Sequence, residues 1–322
     1  MLEDTAQTII PVRVRQAWAL AEGIRAFEFK RDDDRELPAF TAGAHILVRV
    51  PNGEARRYSL CNDPTERYHY VIAVKREAGG RGGSVSLVDD TNVNDELLIS
   101  EPRNDFELVG NPASYLFIAG GIGITPILSM IKQLQADNIR PFKLYYLCRS
   151  PGATAFRAEL TSPRYRGRVV VHHDHGDPNQ SIDLWPILEQ PRGAYLYCCG
   201  PRMLMETVRD MTGHWPSAAV HFEDFGVSET ARAVDNRPFT IRLVRSGATL
   251  EVPAHASVLE VLRANGYEIA SSCESGTCGT CKLRLISGDP DHRDLVLTKY
   301  ERSSNFMACV SRSRSPELEL DL

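Results

Sequence analysis

Residues 273–281 read CESGTCGTC, three cysteines within nine positions. The spacing is Cys273-x4-Cys278-x2-Cys281, and Cys309 follows 28 positions after Cys281. The positions between these thiols are small and polar. Gly276 and Gly279 let the backbone wrap closely around a compact inorganic core. Ser271, Ser275, Thr277 and nearby amides are placed to donate hydrogen bonds to the sulfurs. The other four cysteines, Cys61, Cys148, Cys198 and Cys199, sit in separate and otherwise apolar stretches. They read as reduced core or site thiols, since a disulfide framework belongs to short secreted chains.

A four-residue gap, then a two-residue gap, then a distant fourth cysteine is the plant-type spacing for a [2Fe–2S] cluster. A structural zinc site is the alternative, although zinc knuckles usually pair their cysteines as C-x2-C twice. The glycine-rich loop with unequal gaps favours the cluster, with Cys273, Cys278, Cys281 and Cys309 as ligands. Such a cluster carries one electron at a time, so the chain is expected to move electrons.

The remaining composition is that of an ordinary globular protein, 43% hydrophobic and 25% charged. A net charge of −5 over 322 residues gives no reason to expect nucleic acid as a partner. No run of about 18 apolar residues is present, so no membrane span is expected. The N-terminus lacks a basic region followed by an apolar one, and a cytoplasmic location is the expectation. The length predicts two or three domains.

The chain reads as three segments and a linker. Residues 1–106 carry VRVRQAW, IRAFEFK, AHILVRV and YHYVIAVKRE, each alternating at period two, which predicts an antiparallel β-barrel or sandwich. Residues 107–226 begin with SYLFIAG, a continuous apolar run that suits a strand buried on both faces. TPILSMIKQLQADN follows with Ile124, Ile127, Leu128, Ile131 and Leu134 at helical spacing, and Thr125-Pro126 as cap and first-turn proline. FKLYYLC, RVVVHH, AYLYCCG and AAVHFED alternate with helical stretches, which predicts a parallel α/β sheet. Residues 227–237 read as a linker. Residues 238–322 form an α+β unit: a hairpin in FTIRLVRSGATLEVP, a short helix in SVLEVLRANG, the cysteine loop, KLRLISG and a terminal ELELDL strand.

Several short motifs gather in the first two segments. GGIGITP, residues 120–126, joins a buried strand to a helix, where glycines admit a pyrophosphate and the helix N-terminus stabilises its charge. Glycines at such a join also serve plain packing, and Pro126 stands where the usual fingerprint has its last glycine. Cys198-Cys199-Gly200-Pro201 ends another buried strand, either at the ligand edge of the sheet or as core followed by a turn. Arg56-Arg57-Tyr58-Ser59-Leu60 sets an aromatic ring beside a hydroxyl, which suits a flat heteroaromatic ligand, though Tyr58 is equally a strand core residue. Gly79-Gly80-Arg81-Gly82-Gly83-Ser84 is a glycine-rich turn that suits a phosphate, or a hairpin loop.

In this order, RRYSL, GRGGS, GGIGITP, CCGP and the cysteine loop resemble the flavin-dependent ferredoxin–NADP reductase superfamily. The branch they are most similar to is that of phthalate dioxygenase reductase and vanillate demethylase reductase, with a fused C-terminal plant-type ferredoxin of β-grasp type. The resemblance implies FMN, NADH and a [2Fe–2S] cluster. It places Tyr58 against the flavin ring and Ser59 near its N5. Arg56, Arg81, Gly82, Gly83 and Ser84 would hold the FMN phosphate, with Leu60 and Lys75 completing the flavin set. Gly121, Gly123, Thr125 and Pro126 would line the dinucleotide site. Cys199 and Gly200 would sit near the reacting nicotinamide, and Phe225 would be an aromatic beside the flavin; the alternative for Phe225 is a core residue before a linker. Ser59, Cys199 and Phe225 are thus the candidate catalytic residues. Arg149, after LYYLC, leaves NADPH open, because a 2′-phosphate would want an arginine there. The implied partner is a Rieske-type non-haem iron oxygenase or demethylase of aromatic compounds, engaged by transient docking. A stand-alone reductase for a quinone or haem protein needs the same cofactors and stays open.

Overall fold

Alternating burial along the first strands sets the first layer of the fold. In the computed structural model, which describes residues 8–80, 82–137, 141–225 and 236–322, IRAFEFK presents Phe27 and Phe29 inward. The chain divides into two units, Met1–His221 and Phe222–Leu322. Among the described residues no helix is long and apolar enough to cross a membrane.

The first unit opens with strands β1 (Ile9–Ala21), β2 (Ile24–Lys30), β3 (His45–Arg49), β4 (Ala55–Ser59), β5 (Tyr70–Lys75) and β6 (Glu96–Ser100), and helix α1 (Gly83–Asp90). The strands form one antiparallel sheet in the order β4-β3-β6-β1-β2-β5. A bridge between Leu60 and Ile72 joins the two ends of that order, so the sheet closes on itself as the alternation predicts. Its interior holds Phe27, Phe29, Ile46, Val48, Leu60, Tyr70 and Ile72. Strands β4 and β6 and helix α1 were not separately expected. ARRYS and ELLIS are too short and too polar at their ends to show a period, and the glycines before α1 read as a turn.

The second layer comprises β7 (Ser114–Gly120), α2 (Ile124–Asp137), β8 (Phe142–Cys148), α3 (Arg157–Leu160), β9 (Val169–His173), α4 (Trp185–Leu188), β10 (Ala194–Cys199), α5 (Arg202–Met211) and β11 (Val220–Glu223). The sheet order is β11-β10-β7-β8-β9, with β10, β7, β8 and β9 parallel. SYLFIAG is buried along nearly its whole length because helices cover both faces of such a sheet. The predicted apolar stripe of α2 is buried as expected. The cap differs: the helix starts at Ile124 after a short 3-10 turn, Gly121–Gly123. Thr125 therefore lies inside the first turn, and its hydroxyl donates to the Ile122 carbonyl at 3.1 Å instead of capping free amides.

In the second unit, β12 (Phe239–Leu243), β13 (Thr249–Val252), β14 (Lys282–Ser287), β16 (Asn305–Met307) and β18 (Glu317–Leu320) form a sheet in the order β13-β12-β18-β14-β16. A small ladder pairs β15 (Pro290–Asp291) with β17 (Arg312–Ser313). Strands β12 and β13 are the expected hairpin, and the terminal strand β18 runs parallel to β12 at its centre. The expected helix is Val258–Ala264, started by a capping box in which the Ser257 hydroxyl accepts from the Glu260 amide and the Glu260 carboxylate accepts from the Ser257 amide. Of the expected linker, residues 227–235 lie outside the described residues.

Candidate functional site

Strand β4 and the start of α1 meet at Arg56. A Cβ added to Gly83 would stand 2.6 Å from Arg56 Nε, so the arginine side chain lies across the first residue of the helix. Gly82, with φ +81°, makes the left-handed entry into α1 that a residue bearing a Cβ resists. The Ser84 hydroxyl accepts from the Glu77 amide at 3.1 Å and closes the glycine loop. Arg81, the remaining residue of that loop motif, lies outside the described residues. A helix N-terminus with a guanidinium beside it is suited to a phosphate dianion.

One residue beyond Tyr58, the Ser59 hydroxyl is buried and has no hydrogen-bond partner among the described residues. Such an orphaned donor fits a ligand with an acceptor at its edge. Tyr58 is half-buried, and burial pushes its hydroxyl up to about 12, so it stays neutral. Together these groups fit a phosphorylated flavin. Two members of the sequence-derived set stand apart: Leu60 is fully buried in the barrel core, and Lys75 is half-exposed and paired with Glu77 at 2.9 Å.

The loops after β7 and β10 lie side by side, because Ala119 and Cys199 are register partners on adjacent parallel strands. The strand order reverses direction between them, which makes this the switch point where open α/β sheets take ligands. The glycines here divide their work. A Cβ on Gly123 would stand 2.2 Å from the Cys199 carbonyl oxygen, and one on Gly200 2.8 Å from Gly120 Cα, so these are packing glycines. Gly121, with φ +53°, faces open space and leaves room for a pyrophosphate against the backbone. Thr125, Pro126 and Cys199 are buried behind it. Arg149 is exposed at the end of β8.

Helix α2 also ties this loop to the segments that flank β3 and β4. Ser129 Oγ donates to the Asn62 carbonyl at 3.0 Å, Lys132 Nζ to the Cys61 carbonyl at 3.2 Å, and the Ala42 amide to Gln133 Oε1 at 3.3 Å. Neither Ser129 nor Lys132 was singled out from sequence. A serine and a lysine within an amphipathic helix look like surface residues until a distant segment of the chain packs against them.

In the second unit the four thiols come as two pairs. Cys278 lowers the pKa of the Cys273 thiol, and Cys309 lowers that of Cys281, so the thiols lie close enough to perturb one another pair by pair. Two and two is the arrangement that grips a two-iron core. Cys273 Sγ accepts from the amides of Ser275, Thr277 and Cys278 at 3.5, 3.4 and 3.3 Å. Cys278, with Ser275 and Thr277, holds the Cys273 thiol well below its usual range against the opposing effect of burial. A thiolate is the form that binds iron. Gly276 and Gly279 both adopt φ near +80°, as a tightly wrapped loop requires. Ser271 departs from expectation, since its hydroxyl bonds Glu274 at 2.7 Å and Arg263. Cys278 is the exposed member of the four. Phe225, in this unit, is 38% exposed.

A closed antiparallel barrel, a parallel nucleotide-type sheet and a cysteine-loop unit define a pyridine-nucleotide-linked iron–sulfur oxidoreductase. Residues 117–210 match the oxidoreductase NAD-binding domain, and residues 241–314 match the 2Fe-2S iron-sulfur cluster binding domain. The phthalate 4,5-dioxygenase oxygenase reductase subunit of Pseudomonas putida is 55% identical over 94% of both chains. The vanillate O-demethylase oxidoreductase of Pseudomonas putida is 41% identical over 94% of this chain and 96% of its own. The solved structure of phthalate dioxygenase reductase, described as modular for electron transfer from pyridine nucleotides to [2Fe-2S], superposes with a TM-score of 0.71 at 52% identity and 98% coverage of each chain. The chain belongs to the phthalate dioxygenase reductase family.

Proposed function

We propose that this chain is the reductase of a Rieske-type aromatic oxygenase or demethylase system, drawing on NADH, FMN and a [2Fe–2S] cluster, in the cytoplasm. The observation that carries the reading is the two-and-two pairing of thiols in a chain that also holds a dinucleotide loop. When bound, the flavin and the cluster supply the conversion of a two-electron hydride donor into single electrons.

The residues then have defined tasks. Arg56 and the first turn of α1, with Arg81, Gly82, Gly83 and Ser84, hold the FMN phosphate. Tyr58 covers the flavin face, and the Ser59 hydroxyl donates to the flavin edge. Gly121 gives the NADH pyrophosphate access to the backbone, and Cys199 and Gly200 form the floor under the nicotinamide. Helix α2 fixes the distance between these two sites through Ser129 and Lys132. Cys273 and Cys278 hold one iron, and Cys281 and Cys309 the other. Cys278, the exposed ligand, provides the way out to a transiently docked partner, whose on-rate depends on rim charges.

The test is anaerobic titration of the purified protein with NADH, followed by addition of candidate oxygenases, quinones and haem proteins. A reddish-brown protein with FMN, iron and sulfide, supporting oxygenase turnover at the highest rate, is expected. Faster transfer to a quinone or haem protein than to any oxygenase would favour the stand-alone reductase.

A further inference from the structure

The segment behind the cysteine loop contains a carboxylate that the proposed function does not use. Asp294 is wholly buried. An ionised carboxylate is costly there unless it is hydrogen-bonded. Its Oδ2 accepts from the Leu297 amide at 2.7 Å and the Val296 amide at 3.2 Å, and Oδ1 lies 3.7 Å from His292 Nδ1. Arg302 donates to the Asp294 carbonyl at 3.1 Å, and His292 Nε2 lies 3.0 Å from the Arg302 carbonyl. Burial pushes this carboxyl up, but His292, the Leu297 amide and the Arg302 charge together hold it below its usual range, so it is ionised at neutral pH.

The turn that this carboxylate closes touches the cysteine loop at three points. The Leu295 amide donates to the Gly276 carbonyl at 2.9 Å. A Cβ on Gly276 would stand 3.1 Å from Asp294 Cα and 2.6 Å from Val310 Cγ2, beside Cys309. A Cβ on Gly279 would stand 3.2 Å from Val296 Cγ1. Residues 294–296 thus press on both glycines of the loop, and one side chain holds 294–297 in the shape that does so.

We infer that Asp294 is a positioning residue for the iron–sulfur loop: its buried carboxylate locks the 294–297 turn against Gly276 and Gly279 and places a fixed negative charge behind the cluster. The inference rests on the cluster reading above. Removing the side chain loosens the loop. Replacing it with the neutral amide keeps an acceptor oxygen but removes the charge. A cluster that gains an electron does so more readily without a negative charge nearby, so its potential rises.

The experiment uses the full chain, purified anaerobically, as wild type, Asp294→Ala and Asp294→Asn. The readouts are the electron paramagnetic resonance spectrum of the reduced cluster, its midpoint potential, and the rate of iron loss to a chelator. NADH-driven flavin reduction serves as the control for the other unit. Asp294→Ala is expected to lose iron at least about tenfold faster, as loss of an outer-shell partner does. Asp294→Asn is expected to restore slow iron loss with a more positive potential. Wild-type iron loss, resonance and potential in Asp294→Ala would overturn the inference. If Asp294→Ala cannot be loaded at all, a wild-type potential and resonance in Asp294→Asn would overturn it as well. A wild-type protein without iron or sulfide would refute the cluster reading itself, which separates the two failures.

Discussion

Gly123 and Cys199 approach so closely that a Cβ on the glycine would stand 2.2 Å from the cysteine carbonyl oxygen. The atom in the way is backbone, so it cannot rotate aside. Gly123→Ala should therefore cost about 3 kcal/mol of stability, the upper range for overpacking a tight contact. Thermal unfolding of the apo chain, followed by circular dichroism, checks this; an unchanged midpoint would mean that the strand–helix join is looser than described.

The buried Ser59 hydroxyl has no partner within the described protein, so a bound flavin is its expected acceptor. Ser59→Ala should slow NADH-driven flavin reduction about tenfold, the scale of one lost hydrogen bond, and leave the cluster spectrum intact. Stopped-flow absorbance at the flavin band measures it. Identical traces for the two proteins would remove Ser59 from the site.

Cys278 is the exposed half of the Cys273 pair. Cys278→Ser should abolish or strongly destabilise the cluster while NADH still reduces the flavin. Iron and sulfide analysis, with flavin bleaching in the same sample, is the check. Loss of both signals would show that the two units depend on each other for folding.

His45 is buried in the barrel, paired across strands with Ser59. Burial lowers its pKa to about 4; Arg57 and Arg103 push the same way and Asp105 opposes them. In the unfolded chain the imidazole takes up its proton near pH 6.5, so between pH 6.5 and 4 the unfolded state binds more protons and stability falls as pH falls. The loss attributable to His45 should reach about 3 kcal/mol at the acid end of that window. Denaturant melts at a series of pH values would reveal it, and His45→Gln should flatten that part of the profile. An equal acid loss in the variant would place the titration elsewhere.

The sequence alone determined the cluster type and the layered architecture. Cysteine spacing is a local property that survives without coordinates, and long strands such as IRAFEFK and SYLFIAG declare their burial by their own pattern. The meeting of Arg56 with the start of α1 was legible only as two separate motifs, since neither RRYS nor GRGGS encodes the other's position. Whether the glycines of GGIGITP serve packing or ligand was also open in the sequence. Tertiary contacts separate the two, because only the approach of β10 distinguishes Gly123, crowded by Cys199, from Gly121, which faces open space. Likewise Leu60 belongs to the core, Ser271 turns to Glu274, and Asp294 supports the cysteine loop from a segment with no motif of its own. Spacing along the chain fixes which atoms can act as ligands; which side chains hold them in place depends on what distant segments pack behind them.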